Sequence, residues 1–318
     1  VSLQVRTAHA PGGRPTAPAA RLGAVRRRGT AGPKWWVPWL FLVPGLGFFG
    51  VFFAWPAVIA AQLAFHDYDV VSPPRFVGAG NFVRMANSPE FWQAFGNSLL
   101  FLAMFLPLVV VVPLLLAIVV NRRLRGIGAF RLAYYLPVVT SMVAFAIAWS
   151  FLFHPKGALN WLLLELGIID TPIQFLLDRH WALPAVVLVE AWQYAGYFMM
   201  IYLAGLQSIP GELYEAATLD GAGAWSRFRR ITVPLVRPYA AVCCVLAGIL
   251  ATQSFASTYV LTRGGPQGAT TTLGYYIWSR AFEHFDFGYA SAVGLVLWAF
   301  LLIYALVQYR FTRGEQAG

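Results

Sequence analysis

Six stretches of this chain run for about twenty residues or more with scarcely a charge, and no soluble fold can hide that much apolar surface. They lie near 37–65, 97–120, 132–153, 183–207, 233–254 and 288–309. A hydrocarbon core of about 30 Å is crossed by about 20 helical residues. Lipid offers nothing to hydrogen-bond a bare backbone, so each run must be a helix rather than an isolated strand. Hydrophobic residues make up 59% of the 318 and charged ones 11%, a balance that excludes an ordinary soluble domain. The first run holds Pro38, Pro44 and Pro56 and is expected to kink or to begin with an interfacial segment. Trp35, Trp36 and Trp39 are expected at headgroup level.

The net charge of +10 would fit a nucleic-acid binder, but its basic residues cluster beside the apolar runs and no aromatic-interleaved basic groove appears. Seventeen of the 23 Lys and Arg fall in the N-terminal segment, the even-numbered turns and the C-terminal segment. The opposite loops hold six: Arg75, Arg84, Lys156, Arg179, Arg263 and Arg280. This bias predicts that both termini and the loop at 209–232 face the cytoplasm. Residues 1–34, rich in Ala, Pro, Gly and Arg, read as a disordered cytoplasmic tail. The membrane domain is expected over 35–311 and a second cytoplasmic tail over 312–318. The first apolar run exceeds a signal-peptide core and lacks a small-x-small cleavage site, so a retained first span is expected.

Catalytic chemistry finds no foothold. The five histidines (His9, His66, His154, His180 and His284) lack metal-ligand spacing, and no GxSxG is present. Cys243 and Cys244 are adjacent inside an apolar run and read as small packing residues. Gly264-Gly265-Pro266 lacks the lysine ending of a P-loop and reads as a turn, so this chain is not expected to hydrolyse ATP. Glu190 is the one acid well inside a span, where a carboxylate is costly and faces a bundle interior or a wet cavity. Two readings stay open: Glu190, with Trp192, Gln193 and Tyr194, lines a solute path, or it makes an interhelical hydrogen bond. Gln253 and Ser254 in the fifth span and Thr140 and Ser141 in the third are further polar candidates. Serine and threonine in membrane helices are more commonly interhelical glue.

One polar interval stands apart, Ile209 to Pro238, reading IPGELYEAATLDGAGAWSRFRRITVPLVRP. Pro210 fits a first helical turn, and Glu212 and Glu215 sit near that helix's positive end. Gly221-Ala222-Gly223 stops it, since glycine takes the left-handed conformation that helix ends often need. A second, basic helix over Ala224–Ile231 carries Arg227, Arg229 and Arg230, and Pro234 punctuates the entry to the next run. Asp220 is placed to cap that second helix or to pair with one of its arginines.

Glu215-Ala216-Ala217, Asp220-Gly221-Ala222, Ile231, Pro234 and Pro238 resemble the EAA loop of ABC-importer permeases. The form is similar to the carbohydrate branch that includes maltose and glycerol-phosphate permeases. FVGAGNF at Phe76–Phe82, Pro89–Trp92, Leu261–Trp278 and Phe285–Tyr289 resemble that branch's external loops, and the likeness covers about 37–311. The resemblance implies an all-α polytopic permease of the type I importer kind in a bacterial cytoplasmic membrane. It implies that Glu215, Ala216, Ala217, Asp220 and Gly221 couple the chain to a separate ATPase. Implied partners are a second permease, two ATPase subunits, an extracytoplasmic solute-binding protein, a carbohydrate and membrane lipid, with no nucleic acid. ATP and Mg belong on the ATPase subunits, with no cofactor bound by this chain. The alternative, a secondary transporter driven by an ion gradient, predicts paired intramembrane charges and internal repeats.

Overall fold

In a computed structural model of the chain, residues 36–121 and 126–314 are described. The expected tail over 1–34, Trp35, Arg122, Arg123 and Arg125 and the last residues of the expected C-terminal tail lie outside them. The architecture is helical, with one two-residue antiparallel pairing, β1 (His66–Asp67) with β2 (Arg75–Phe76). Among the described residues, five helical stretches are long and apolar enough to cross a membrane, six when one sharply bent pair is counted as a span.

By its internal contacts the chain divides into residues up to Ala54 and residues from Trp55 onward. The first unit contains α1 (Val37–Phe49), with Pro44 inside it, followed by a π turn over Gly50–Ala54. In the second unit, α2 (Trp55–Leu63) leads through the β pairing to α3 (Gly80–Ala86) and α4 (Pro89–Val120). α4 begins at Pro89, well before the apolar run near 97. Ser88 is its N-cap, Pro89 fills the first turn where no N–H is needed, and Ser88 Oγ accepts the Phe91 N–H at 3.2 Å.

The third apolar run, expected as one span over 132–153, is two helices. α5 (Ile127–Val139) and α6 (Met142–Leu152) meet at 103°. Pro137 lies near the end of α5, and Thr140 and Ser141 take extended backbone angles. The short α7 (Ala158–Glu165) follows, then α8 (Ala182–Gln207), the most buried of the long helices. Around α8 are packed α4, α5, α11 (Val233–Thr252) and α12 (Ala256–Leu261). The core runs through Phe101, Phe105 and Val109 of α4, Val186, Phe198, Met199 and Tyr202 of α8, and Val236, Cys243 and Ala247 of α11. Lipid chains are as apolar as leucine, so close fit rather than exclusion from water holds such helices together. Gly196 of α8 illustrates it: a Cβ there would lie 2.1 Å from the Tyr134 carbonyl oxygen of α5.

A smaller cluster joins α3 and the start of α4 to α13 (Leu273–Trp278) and α14 (Phe287–Gly314) through Met85, Phe91, Tyr276, Tyr289 and Val293. α14 continues to Gly314, past the apolar run that ends near 309. The fifth apolar run, expected over 233–254, is filled by α11. α11 stops at Thr252, α12 starts at Ala256, and Gln253 to Phe255 fill the break.

Candidate functional site

The elbow between α8 and α11 is built from α9 (Gly211–Leu219) and α10 (Ala224–Arg227). Pro210 is the N-cap of α9 rather than its first helical residue, with φ −59° and ψ 130°. Only Glu212 lies in the first turn. Asp220 closes α9 and Gly221 follows at φ +77°. The Gly221 N–H donates to the Thr218 carbonyl at 3.1 Å and the Ala222 N–H to the Ala217 carbonyl at 2.8 Å. These two bonds satisfy carbonyls that a helix end would otherwise leave bare, and they require a left-handed residue between them.

The second helix of the elbow does not end before the membrane span, as Pro234 suggests from sequence. α10 runs into a π turn over Phe228–Thr232 and then directly into α11, so Ala224–Thr252 is one helical stretch. Here the Val233 N–H reaches back five residues to the Phe228 carbonyl. That wider turn lets Pro234, which has no N–H and whose ring crowds the preceding turn, enter without breaking the helix. Asp220 neither caps α10, whose N-cap is Gly223, nor has an ion-pair partner among the described residues. Arg227 instead donates to Thr218 Oγ1 at 2.7 Å, and Tyr214 OH and Thr232 Oγ1 lie 3.0 Å apart. These two links tie α9 to the base of α11.

Glu215, Ala216, Asp220 and Gly221 are exposed and Ala217 is half-buried. Tyr214, Glu215, Thr218, Leu219 and Arg227 line a hollow of about 460 Å³. Beside it, Leu219 is 89% exposed and Trp225 71%, large apolar side chains at the tip of an otherwise polar turn. Such residues seek a partner surface.

The second set of candidates lies along α8 and is split by the structure. Glu190 and Gln193 are each only 4% exposed, Tyr194 is half-buried, and Trp192 and Gln253 are exposed. Glu190 Oε2 accepts from Ser254 Oγ at 2.6 Å and from Ser257 Oγ at 2.5 Å. The two hydroxyls are 3.0 Å apart. The carboxylate is therefore bound to the break between α11 and α12, not exposed along a channel wall. Ser257 is the partner that sequence reasoning missed; a second serine three residues after Ser254 was the available signal.

Gln193, one turn along α8, donates from Nε2 to the Thr140 carbonyl at 2.9 Å, at the break between α5 and α6. Its Oε1 has no donor among the described residues. Trp192 lies 6.3 Å, ring to ring, from both Tyr134 and Trp149. Ser141 is the N-cap of α6 and makes no capping side-chain bond. Thr272 Oγ1 donates to the Ser254 carbonyl at 2.7 Å, so both breaks have a carbonyl satisfied from another segment.

At the end of the bundle opposite the elbow, the 262–272 loop is pinned to α4. Gln93 donates to the Gln267 carbonyl at 2.9 Å and Asn97 to the Gly268 carbonyl at 2.7 Å. Arg84 pairs with Asp286 and lies over the Tyr289 ring at 4.1 Å. Arg280 lies over Tyr276 at 5.0 Å and, with Glu90, Gln93, Tyr275 and His284, lines a polar hollow of about 300 Å³. Burial pushes the Tyr275 hydroxyl above its ordinary pKa.

Residues 77–315 match the family described as binding-protein-dependent transport system inner membrane component. The chain is 34% identical over 279 residues to a lactose transport system permease protein of Rhizobium radiobacter, covering 86% of this chain and 93% of that protein. It is 31% identical to a trehalose/maltose transport system permease protein of Thermococcus litoralis, covering 86% and 93%. It is 32% identical to an sn-glycerol-3-phosphate transport system permease protein of Yersinia pestis bv. Antiqua, covering 87% and 94%. Among solved structures, a bacterial ABC transporter involved in import of the acidic polysaccharide alginate superimposes with TM-score 0.77 and 27% identity, covering 87% of this chain and 95% of its own. The same TM-score and identity hold for the alginate transporter in complex with an alginate pentasaccharide-bound periplasmic protein, at 88% and 95% coverage.

Proposed function

This chain belongs to the binding-protein-dependent transport system inner membrane components, and from that premise we propose that it is the permease subunit of an ABC importer for a carbohydrate. The observation that carries the reading is the elbow. A rigid, bent turn with an exposed acid and two exposed apolar side chains sits at the base of a membrane span, in a family of transport subunits. The named relatives serve lactose, trehalose or maltose and glycerol phosphate, which supports a hydroxyl-rich solute.

In this reading the elbow faces the cytoplasm, as the Lys and Arg bias predicts, and both termini share that side. Glu215, Ala216, Ala217, Asp220 and Gly221 seat the elbow in a cleft of an ATPase subunit, with ATP and Mg held by two such subunits. A second permease completes the pathway. A solute-binding protein docks on the opposite face, where Arg84, Asp286 and Arg280 are gathered; the alginate transporter in complex with its periplasmic protein supports such a partner. Closure of the ATPase pair moves the elbow, and hydrolysis resets it. Each partner shifts the permease only as far as its preference for one conformation allows. Trp192 and Tyr194 offer flat faces and Gln253 a hydrogen-bonding group to a sugar on the path. A gradient-driven transporter would need a second buried charge beside Glu190, and the groups bound to that carboxylate are two serine hydroxyls.

The test is to purify the chain with its partner subunits and measure ATP hydrolysis. The reading expects vanadate-sensitive activity stimulated by the loaded binding protein. Hydrolysis indifferent to that protein would reject it.

A further inference from the structure

One apolar run of this bundle is broken into α5 and α6, the long stretch ending in α11 is separated by a break from α12, and both breaks are tied to the same turn of α8. Breaking a helix in a membrane frees backbone groups that lipid cannot satisfy, so a break persists only where protein groups take over. At the α5/α6 break that group is the Gln193 amide, which donates to the Thr140 carbonyl at 2.9 Å. At the α11/α12 break the Thr272 hydroxyl takes the Ser254 carbonyl at 2.7 Å, and the Glu190 carboxylate holds the side chains there, accepting from the hydroxyls of Ser254 and Ser257 at 2.6 and 2.5 Å. The segments beyond the breaks, α6 and α12, pack on each other as well as on α8. α8 itself ends at Gln207, four residues before the first residue of α9 in the elbow. It is continuous and the most buried of the long helices, whereas α5 and α6 meet at 103° and Gln253 to Phe255 separate α11 from α12.

We propose that Glu190 and Gln193 are positioning residues that pin the two breaks to α8, so that α6 and α12 move with the elbow as one gate. This deepens the importer reading and rests on it. It assigns Glu190 to the protein's own hydroxyls rather than to a sugar. A buried hydrogen-bond network with its partners in place fixes one arrangement, and losing one member releases the others. With the pins removed, elbow movement no longer carries the outer segments, and ATP is hydrolysed without matching transport.

The two pins use opposite chemistry, and this makes the proposal testable. Glu190 works as an acceptor, so Glu190→Gln keeps a carbonyl oxygen for the two serines. Gln193 works as a donor, so Gln193→Met, similar in length but without an N–H, has nothing to give the Thr140 carbonyl. The complete transporter is reconstituted in proteoliposomes, with loaded binding protein outside, and solute moved per ATP hydrolysed is measured. Glu190→Ala, the Ser254→Ala/Ser257→Ala pair and Gln193→Met are each expected to lower that ratio about tenfold. Glu190→Gln is expected to stay within about twofold of the unmodified transporter. Combining Glu190→Ala with the serine pair is expected to add nothing further, since both remove one link.

Glu190→Gln as defective as Glu190→Ala, or Gln193→Met as well coupled as the parent, would overturn the proposal. So would an unchanged ratio with altered solute affinity in Glu190→Ala, which would make Glu190 a sugar ligand. Should Glu190→Ala fail to co-purify with its partners, the two near-isosteric variants decide alone. Absence of ATP-dependent transport in the parent complex would reject the importer reading instead, a distinct outcome.

Discussion

Replacing Gly221 by valine isolates one term in how the elbow is held. Its φ of +77° is the left-handed region, and a Cβ built there meets no atom within 4 Å. The penalty is therefore conformational, with no steric collision to confuse it. An L-residue in that region costs about 1–2 kcal/mol, and a β-branched one sits at the upper end. That energy is enough to lower the population of the observed bend by about 5–30-fold. The two bonds that depend on it, Gly221 to Thr218 and Ala222 to Ala217, would open together. The assay is binding-protein-stimulated ATP hydrolysis and solute uptake across Gly221→Asn, Gly221→Ala and Gly221→Val, with the level of assembled complex as control. Asparagine tolerates the left-handed region, so activity is expected to fall in the order Asn, Ala, Val. Equal activity in all three, or asparagine worse than valine, would refute the reasoning.

Gly196→Val drives a side chain into the Tyr134 carbonyl and parts α8 from α5; a loss of about 1–3 kcal/mol is expected, read as a lower melting temperature in detergent. Arg84→Ala removes an ion pair whose partners are half and a quarter exposed, so about 0–1 kcal/mol is expected, and a double-mutant cycle with Asp286→Ala measures the pair directly. Leu219→Asp leaves the fold unstrained because the side chain is exposed, but it is expected to weaken co-purification of the ATPase subunits about tenfold or more. An unchanged pull-down would show that the tip does not dock. Asp69 accepts N–H bonds from Ser72 and Val71, which hold its carboxyl below the usual carboxylate range. Its contribution to the turn at 69–72 is expected at neutral pH and lost only as pH falls below the ordinary value of 3.8 through the depressed one, which hydrogen exchange across a pH series would report.

The helical membrane architecture was legible because a bilayer imposes a length and a composition, and the apolar runs meet both. The α9 stop was legible too, since Gly221 is a residue type with a conformational reason to be there. Other features were hidden for particular reasons. The early start of α4 was written in Ser88-Pro89-Glu90, a local capping signal that an apolar-run reading passes over. The break at Thr140 was marked only by Pro137 and the polar Thr140-Ser141 pair, because what sustains it is an amide 53 residues away in α8. Glu190 announced itself as an unusual intramembrane acid, but its partners, Ser254 and Ser257, are 64 and 67 residues further on. The passage of α11 through Pro234 depends on a π turn, a choice among helical geometries that residue type alone leaves open.

The claim on which the account stands is that ATP hydrolysis in a partner drives a hydroxyl-rich solute through this bundle by way of the elbow. Its most direct test is uptake of the labelled solute into proteoliposomes that contain the assembled transporter, with ATP inside and the loaded binding protein outside. The account predicts accumulation that requires both, stops with vanadate, and continues when an ionophore collapses ion gradients. Accumulation that persists without ATP and vanishes with the ionophore would contradict it.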